Sequence, residues 1–223
     1  MSKKIFLALL TILVLCACGC GVDEKKNTSA VTTPEFSADK AILAYAQLYA
    51  YGAPDDPKVA GLPEKFVADA QQTIFKRFDD YYPLDEKTLR EVVKNFSATL
   101  KTRMEIKTSI KNSDAAHPVV ELSAKIIDWQ RALKNVDVDK NLILLRVTWG
   151  ELQAQGFSDE QLRKDSQFQK LALESLSRYF GNLPLKTDAK IDVTCKISVG
   201  EDGKFYWSPE KPDELAKFIT GQK

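Results

Sequence analysis

From residue 191 to 199, Ile191, Val193, Cys195, Ile197 and Val199 alternate strictly with Asp192, Thr194, Lys196 and Ser198. A period of two places every apolar side chain on one face of an extended strand, so the chain must build a sheet with one covered face and one wet face. Gly200-Glu201-Asp202-Gly203 then turns the strand into residues 204–207, which makes a hairpin. A second pair is expected upstream. There Met104, Ile106, Thr108 and Ile110 alternate with polar residues, residues 112–117 are turn-like, and Val120, Leu122, Ala124 and Ile126 form the matching face.

Elsewhere the period is helical. Ser37 is placed to cap a first helix carrying Ala41, Ile42, Tyr45, Leu48 and Tyr49, which Gly52 and Pro54 stop. After a loop that reaches Leu62, Pro63 opens a second helix with Phe66, Val67, Ala70, Ile74, Phe78 and Tyr81 on one face. Asp85 caps a third, whose stripe is Leu89, Val92, Val93, Phe96 and Leu100. Residues 142–149 fit either a buried strand or a helix; Leu142, Leu145, Trp149 and Leu152 fall at helical offsets, which favours a helix. Ser158 and Gln161 form a capping box for one long helix bearing Leu162, Phe168, Ala172, Leu176 and Tyr179, and a last helix follows Pro212.

Strand pairs joined by tight turns, without β-α-β alternation, predict an α+β fold: helices on an antiparallel sheet of about four strands arranged as two hairpins. Helix, helix and hairpin recur in that order twice, which hints at a pseudo-repeat. With 223 residues, 44% apolar and 28% charged, the chain suits one globular body plus short extensions. Lys and Arg number 32 against 31 Asp and Glu, a balance that gives no reason to expect nucleic acid as a partner.

The extension lies at the N-terminus. Lys3 and Lys4 precede a run from Ile5 to Leu15 broken only by Thr11, and small residues with cysteines follow, the layout of a secretory signal. Eleven residues cover about half of a ~30 Å hydrocarbon core, although the uncharged stretch continues to Val22 and leaves an uncleaved anchor open. Residues 19–35 are polar and build no core; as a coil they span roughly 20–25 Å. The expected divisions are a signal over 1–17, a tether over 18–36 and the α+β body over 37–221.

Leu15-Cys16-Ala17-Cys18 resembles the lipobox of bacterial lipoproteins, in which Leu, a tolerant position and a small residue precede the acylated cysteine. Cys20 and Cys16 fit less well, because Ala17 would take the Leu position or Leu15 the small one. The resemblance implies cleavage after Ala17, a diacylglyceryl thioether on Cys18, frequent acylation of the new amine, and residence on the extracytoplasmic face of the cell membrane or outer membrane. With the Ala-rich first helix at 41–51 and the hairpin carrying Asp202-Gly203-Lys204, the chain resembles bacterial lipoproteins with an extracytoplasmic domain of unknown function. That resemblance transfers no catalytic residue.

Chemistry is sparse. His117 beside Pro118 is the lone histidine, and Cys195 falls on the apolar face of its strand, a core position rather than a nucleophile's. Asp79-Asp80-Tyr81-Tyr82 is the densest polar–aromatic cluster, but adjacent helical residues point about 100° apart, so the two carboxylates do not converge by themselves. Tyr45, Tyr49, Tyr51, Tyr81, Tyr82 and Trp207 suit either a core or a binding surface. No spacing calls for a metal or cofactor. The expected function is therefore non-enzymatic: a lipid-anchored protein that binds an envelope protein or a small ligand. The rival is a hydrolase using carboxylates near Asp79 and Asp80.

Overall fold

The first helix organises the molecule. In the structure, a computed structural model that describes residues 33–221, α1 (Ala38–Tyr51) is buried on nearly every side, with Ala41, Ile42, Ala46 and Leu48 all but inaccessible. Its alanines let neighbours approach closely from all directions, so a helix apolar all round becomes the centre of the core. The expected signal, Cys18 and most of the tether lie outside the described residues.

Around α1 the sheet runs β1 (Lys107–Asn112), β2 (Val119–Ile127), β3 (Leu185–Val199) and β4 (Phe205–Pro209), in that spatial order and antiparallel throughout. β3 pairs with β2 over its first part and with β4 only from Cys195 onward, and α1 touches both edge strands, β1 and β4. The sheet therefore curls round the helix. Val120 opposite Val193 and Leu122 opposite Ile191 face the core, while Glu121 opposite Asp192 faces water. Like charges facing each other would be destabilising. Lys190 at 2.9 Å from Glu121 and Lys111 at 2.6 Å from Asp192 offset them.

Against the covered face, beside α1, pack α3 (Glu86–Met104) and α8 (Pro212–Ile219); α2 (Glu64–Tyr81) and α7 (Ser166–Gly181) pack on α3, α5 (Lys140–Ala154) and α6 (Asp159–Lys164) pack on α7, and α4 (Trp129–Asn135) follows β2. Phe78, Phe96 and Phe180 meet edge to face, with centroids 5.1–5.7 Å apart, where α2, α3 and α7 join. Arg103 of α3 donates to the carbonyls of Phe180 and Leu183 at 2.8 and 2.6 Å, closing the C-terminal end of α7. The fold is α+β; helix–helix–hairpin order is present as α2–α3–β1–β2, whereas the second run carries three helices, α5, α6 and α7, before β3 and β4.

Several boundaries differ from the sequence reading. Met104 ends α3 rather than starting a strand, because it continues the helical stripe four residues after Leu100 and is fully buried there. Residues 142–149 are helical, with the Asp139 carboxylate accepting from the amides of Asn141 and Leu142. The Ser158–Gln161 capping box forms, yet the expected long helix is broken at Asp165, whose carboxylate caps α7 through Gln167 and Phe168. Ser37 occupies the N-cap position without a side-chain bond, and Pro63 is the N-cap of α2 rather than its first residue. The period reading did not include α4 or the 3-10 turn Pro57–Ala60. Val199, expected on the core face, is 59% exposed, opposite Phe205 at the last step of the β3–β4 ladder.

That tip is a four-residue turn with Gly203 at φ 76°, the left-handed residue that lets β4 rejoin β3. Gly61 is also left-handed, at φ 60°, and a Cβ there would lie 2.4 Å from the Tyr206 ring. Gly61→Ala therefore combines backbone strain with a clash and should cost about 1–3 kcal/mol in a urea titration. Gly203→Ala meets nothing within 4 Å and should show the smaller, purely backbone loss of about 1 kcal/mol.

Candidate functional site

Cys18, the one residue assigned a role from sequence, lies outside the described residues. The other candidates are all placed. At the end of α2 the Asp79 carboxylate accepts from Arg163 Nη1 at 2.8 Å, and the same nitrogen donates to the Leu84 carbonyl at 2.6 Å. Asp80 points outward and is exposed. The two carboxylates diverge as helix geometry requires, and a guanidinium already compensates one of them. This is a clamp that fixes the α2–α3 loop onto α6.

Beside the clamp, the Tyr82 and Trp149 rings lie 6.0 Å apart, tilted by 50°. Trp149 Nε1 donates to Asp159 at 3.2 Å, as Gln153 does at 3.1 Å. Burial raises the Tyr82 hydroxyl above the ordinary phenol range, against the pull of the Arg146 charge. Arg146 is itself committed: it donates to the carbonyls of Val136 and Leu142 at 3.0 and 3.3 Å. Beneath lies Gln169, 5% exposed, which donates to the carbonyls of Pro83 and Leu162 and accepts from the amide of Asp85. The polar groups of the cluster are bonded to one another and to backbone carbonyls.

Where β3 changes partner from β2 to β4, at Thr194 and Cys195, groups that the sequence keeps far apart come together. His117 Nδ1 lies 2.6 Å from Glu210 Oε1, the Cys195 amide donates to the Pro118 carbonyl at 2.9 Å, and the Glu210 amide donates to the Thr194 carbonyl at 2.9 Å. The imidazole is exposed, as expected for a loop histidine, but it is paired rather than merely solvated. Asp114 organises the loop by accepting from the amides of Ala116 and His117, which holds its carboxyl below the usual range. Cys195 is fully buried, and burial, with a smaller push from Glu210, moves its thiol up to about 12. That is the reverse of an activated nucleophile. Iodoacetamide on the folded protein should leave the Cys195 peptide unmodified by mass spectrometry and alkylate it in denaturant.

The aromatics divide. Tyr49, Tyr51 and Trp207 are core residues, and Tyr45 packs on Tyr49 with centroids 6.2 Å apart. Tyr81 and Tyr82 are half-buried at the clamp. Among the described residues, no group of three or more His, Cys, Asp or Glu is placed to hold a metal.

One surface was missed by the sequence reading. α5 buries Leu142 and Leu145, yet Ile143, Leu144 and Val147 are 38, 52 and 51% exposed on its other side. The signal was present in the uninterrupted Leu142-Ile143-Leu144-Leu145 run, since four consecutive apolar residues cannot all face one way on a helix.

Comparison with known proteins adds the fold. Neither a family model nor a curated protein matches the chain. A crystal structure of ycdA from Bacillus subtilis, provisionally designated a lipoprotein, superposes with a TM-score of 0.52 at 17% identity over 82% of this chain. The match covers 55% of that chain, so the likeness extends over about half of the neighbour's length. It shows a shared α+β fold.

Proposed function

We propose that this is a non-enzymatic, lipid-anchored extracytoplasmic protein, held at the cell membrane or outer membrane through Cys18, whose α+β body binds an envelope protein or a small ligand. The observation that carries this reading is Leu15-Cys16-Ala17-Cys18 directly behind an eleven-residue apolar run, followed by a polar stretch up to the first helix at Ala38. Two observations support it. No helix among the described residues is long and apolar enough to cross a membrane, and the fold is shared with ycdA, itself provisionally designated a lipoprotein. The commitment of Asp79 to Arg163 and the raised thiol of Cys195 support binding over hydrolysis.

Each buried CH₂ contributes ~0.8 kcal/mol, so two or three acyl chains make such anchoring effectively permanent where one would not. Cells fed an alkyne analogue of palmitate should label the wild-type protein. The label should vanish in Cys18→Ser and persist in Cys16→Ser and Cys20→Ser. Loss of label in Cys20→Ser alone would contradict the assignment.

A further inference from the structure

We propose that the outer face of α5 is a contact between two copies of this chain, packed antiparallel about a two-fold axis that crosses the helix between Leu145 and Arg146. Lys140, Leu144, Val147 and Glu151 follow one another at intervals of four, three and four residues, which places all four on a single stripe turned away from the buried Leu142 and Leu145. Leu144 and Val147, each about half exposed, form its apolar centre, and exposed Lys140 and Glu151 form its ends. Gly150 beside the stripe opens to empty space, with nothing within 4 Å of a Cβ built there, so a second backbone can approach closely.

The charges identify the occupant. A two-fold axis at that position puts Leu144 opposite the second copy's Val147 and Lys140 opposite the second copy's Glu151, so the stripe is complementary to itself. Within one helix the two ends lie ~16 Å apart along the axis, too far to pair with each other. Both also oppose their own helix dipole, with Lys140 in the first turn and Glu151 in the last. Against an antiparallel neighbour both are corrected: each lysine meets the negative end of the partner helix, and each glutamate its positive end. Four side chains cover less than the ~800 Å² per partner of a standard interface, so the association should be weak, with Kd on the order of 10⁻⁴ M.

The pairing does not depend on the lipid anchor, and it is tested in the full chain carrying Cys20→Ser, in native membranes treated with a short bis-maleimide. Val147→Cys should give a cross-linked dimer of this chain, and Ser109→Cys, on the open face of the sheet, should not. Adding Lys140→Glu or Glu151→Lys to Val147→Cys should lower the dimer yield about three- to tenfold, because each reversal creates two like-charge pairs across the axis. The double swap Lys140→Glu/Glu151→Lys should restore it. No dimer above the Ser109→Cys background, a dimer indifferent to the reversals, or a cross-link only to a different protein would each overturn the proposal.

Discussion

Val193→Asp should lower the unfolding free energy by several kcal/mol, whereas Thr194→Asp, one residue along, should cost under ~1 kcal/mol. Val193 is 6% exposed and sits opposite fully buried Val120. An aspartate there loses the packing of the valine and brings a carboxylate under the helices without a partner, unless it protonates or draws in water. Thr194 points to the face that carries Glu121, Lys190 and Asp192, where charge is already solvated. Urea titration of the two variants reads the difference directly. Equal losses would mean that both faces of β3 are covered, in conflict with a sheet that carries its helices on one side.

The second large effect is at Gln169. Its side chain satisfies three buried backbone groups on two segments: the carbonyl of Pro83 and amide of Asp85 before α3, and the carbonyl of Leu162 at the α6–α7 break. Gln169→Leu keeps most of the volume but takes the partner from the Pro83 carbonyl and the Asp85 amide, while the Leu162 carbonyl keeps the Asp165 amide, at an expected cost of about 2–4 kcal/mol. Gln169→Glu retains an acceptor for Asp85 while turning a carboxylate toward two carbonyls. Burial and those carbonyls raise the folded-state pKa of that glutamate, so the native state binds the proton more tightly than the unfolded chain. Stability should then fall as pH rises, leaving Gln169→Glu weaker at pH 8 than at pH 5 in denaturant titrations. An unchanged midpoint in Gln169→Leu would show that the break at Asp165 is held by other contacts.

What periodicity could reveal was local. The faces of α2 and α3, the two hairpins and the caps at Asp85 and Ser158 follow from side chains that see only their neighbours in sequence. Met104 was misplaced because a step of two from Ile106 and a step of four from Leu100 coincide on it. The break at Asp165 was hidden because a helix split by one capping residue keeps nearly the same apolar spacing on both sides. The Leu142–Leu145 run signals that α5 leaves an apolar face uncovered, but which of its residues are exposed depends on which face of α5 meets α7.

The clusters were illegible for a different reason. Asp79 and Arg163 are 84 residues apart, Pro83 and Gln169 are 86 apart, and His117 and Glu210 are 93 apart. Such pairings are created by the way distant segments come together in the fold, not by any spacing. The sequence showed Asp79 and Asp80 as a candidate pair of carboxylates; the fold hands one of them to an arginine from a distant segment.

Anchoring through Cys18 is tested most directly by mass spectrometry of the N-terminal peptide of the protein extracted from native membranes. The expected product is a chain that begins at Cys18, its sulfur carrying a diacylglyceryl thioether, with Ala17 and everything before it removed. An intact N-terminus at Met1, or acyl groups on Cys20 with Cys18 unmodified, would contradict it.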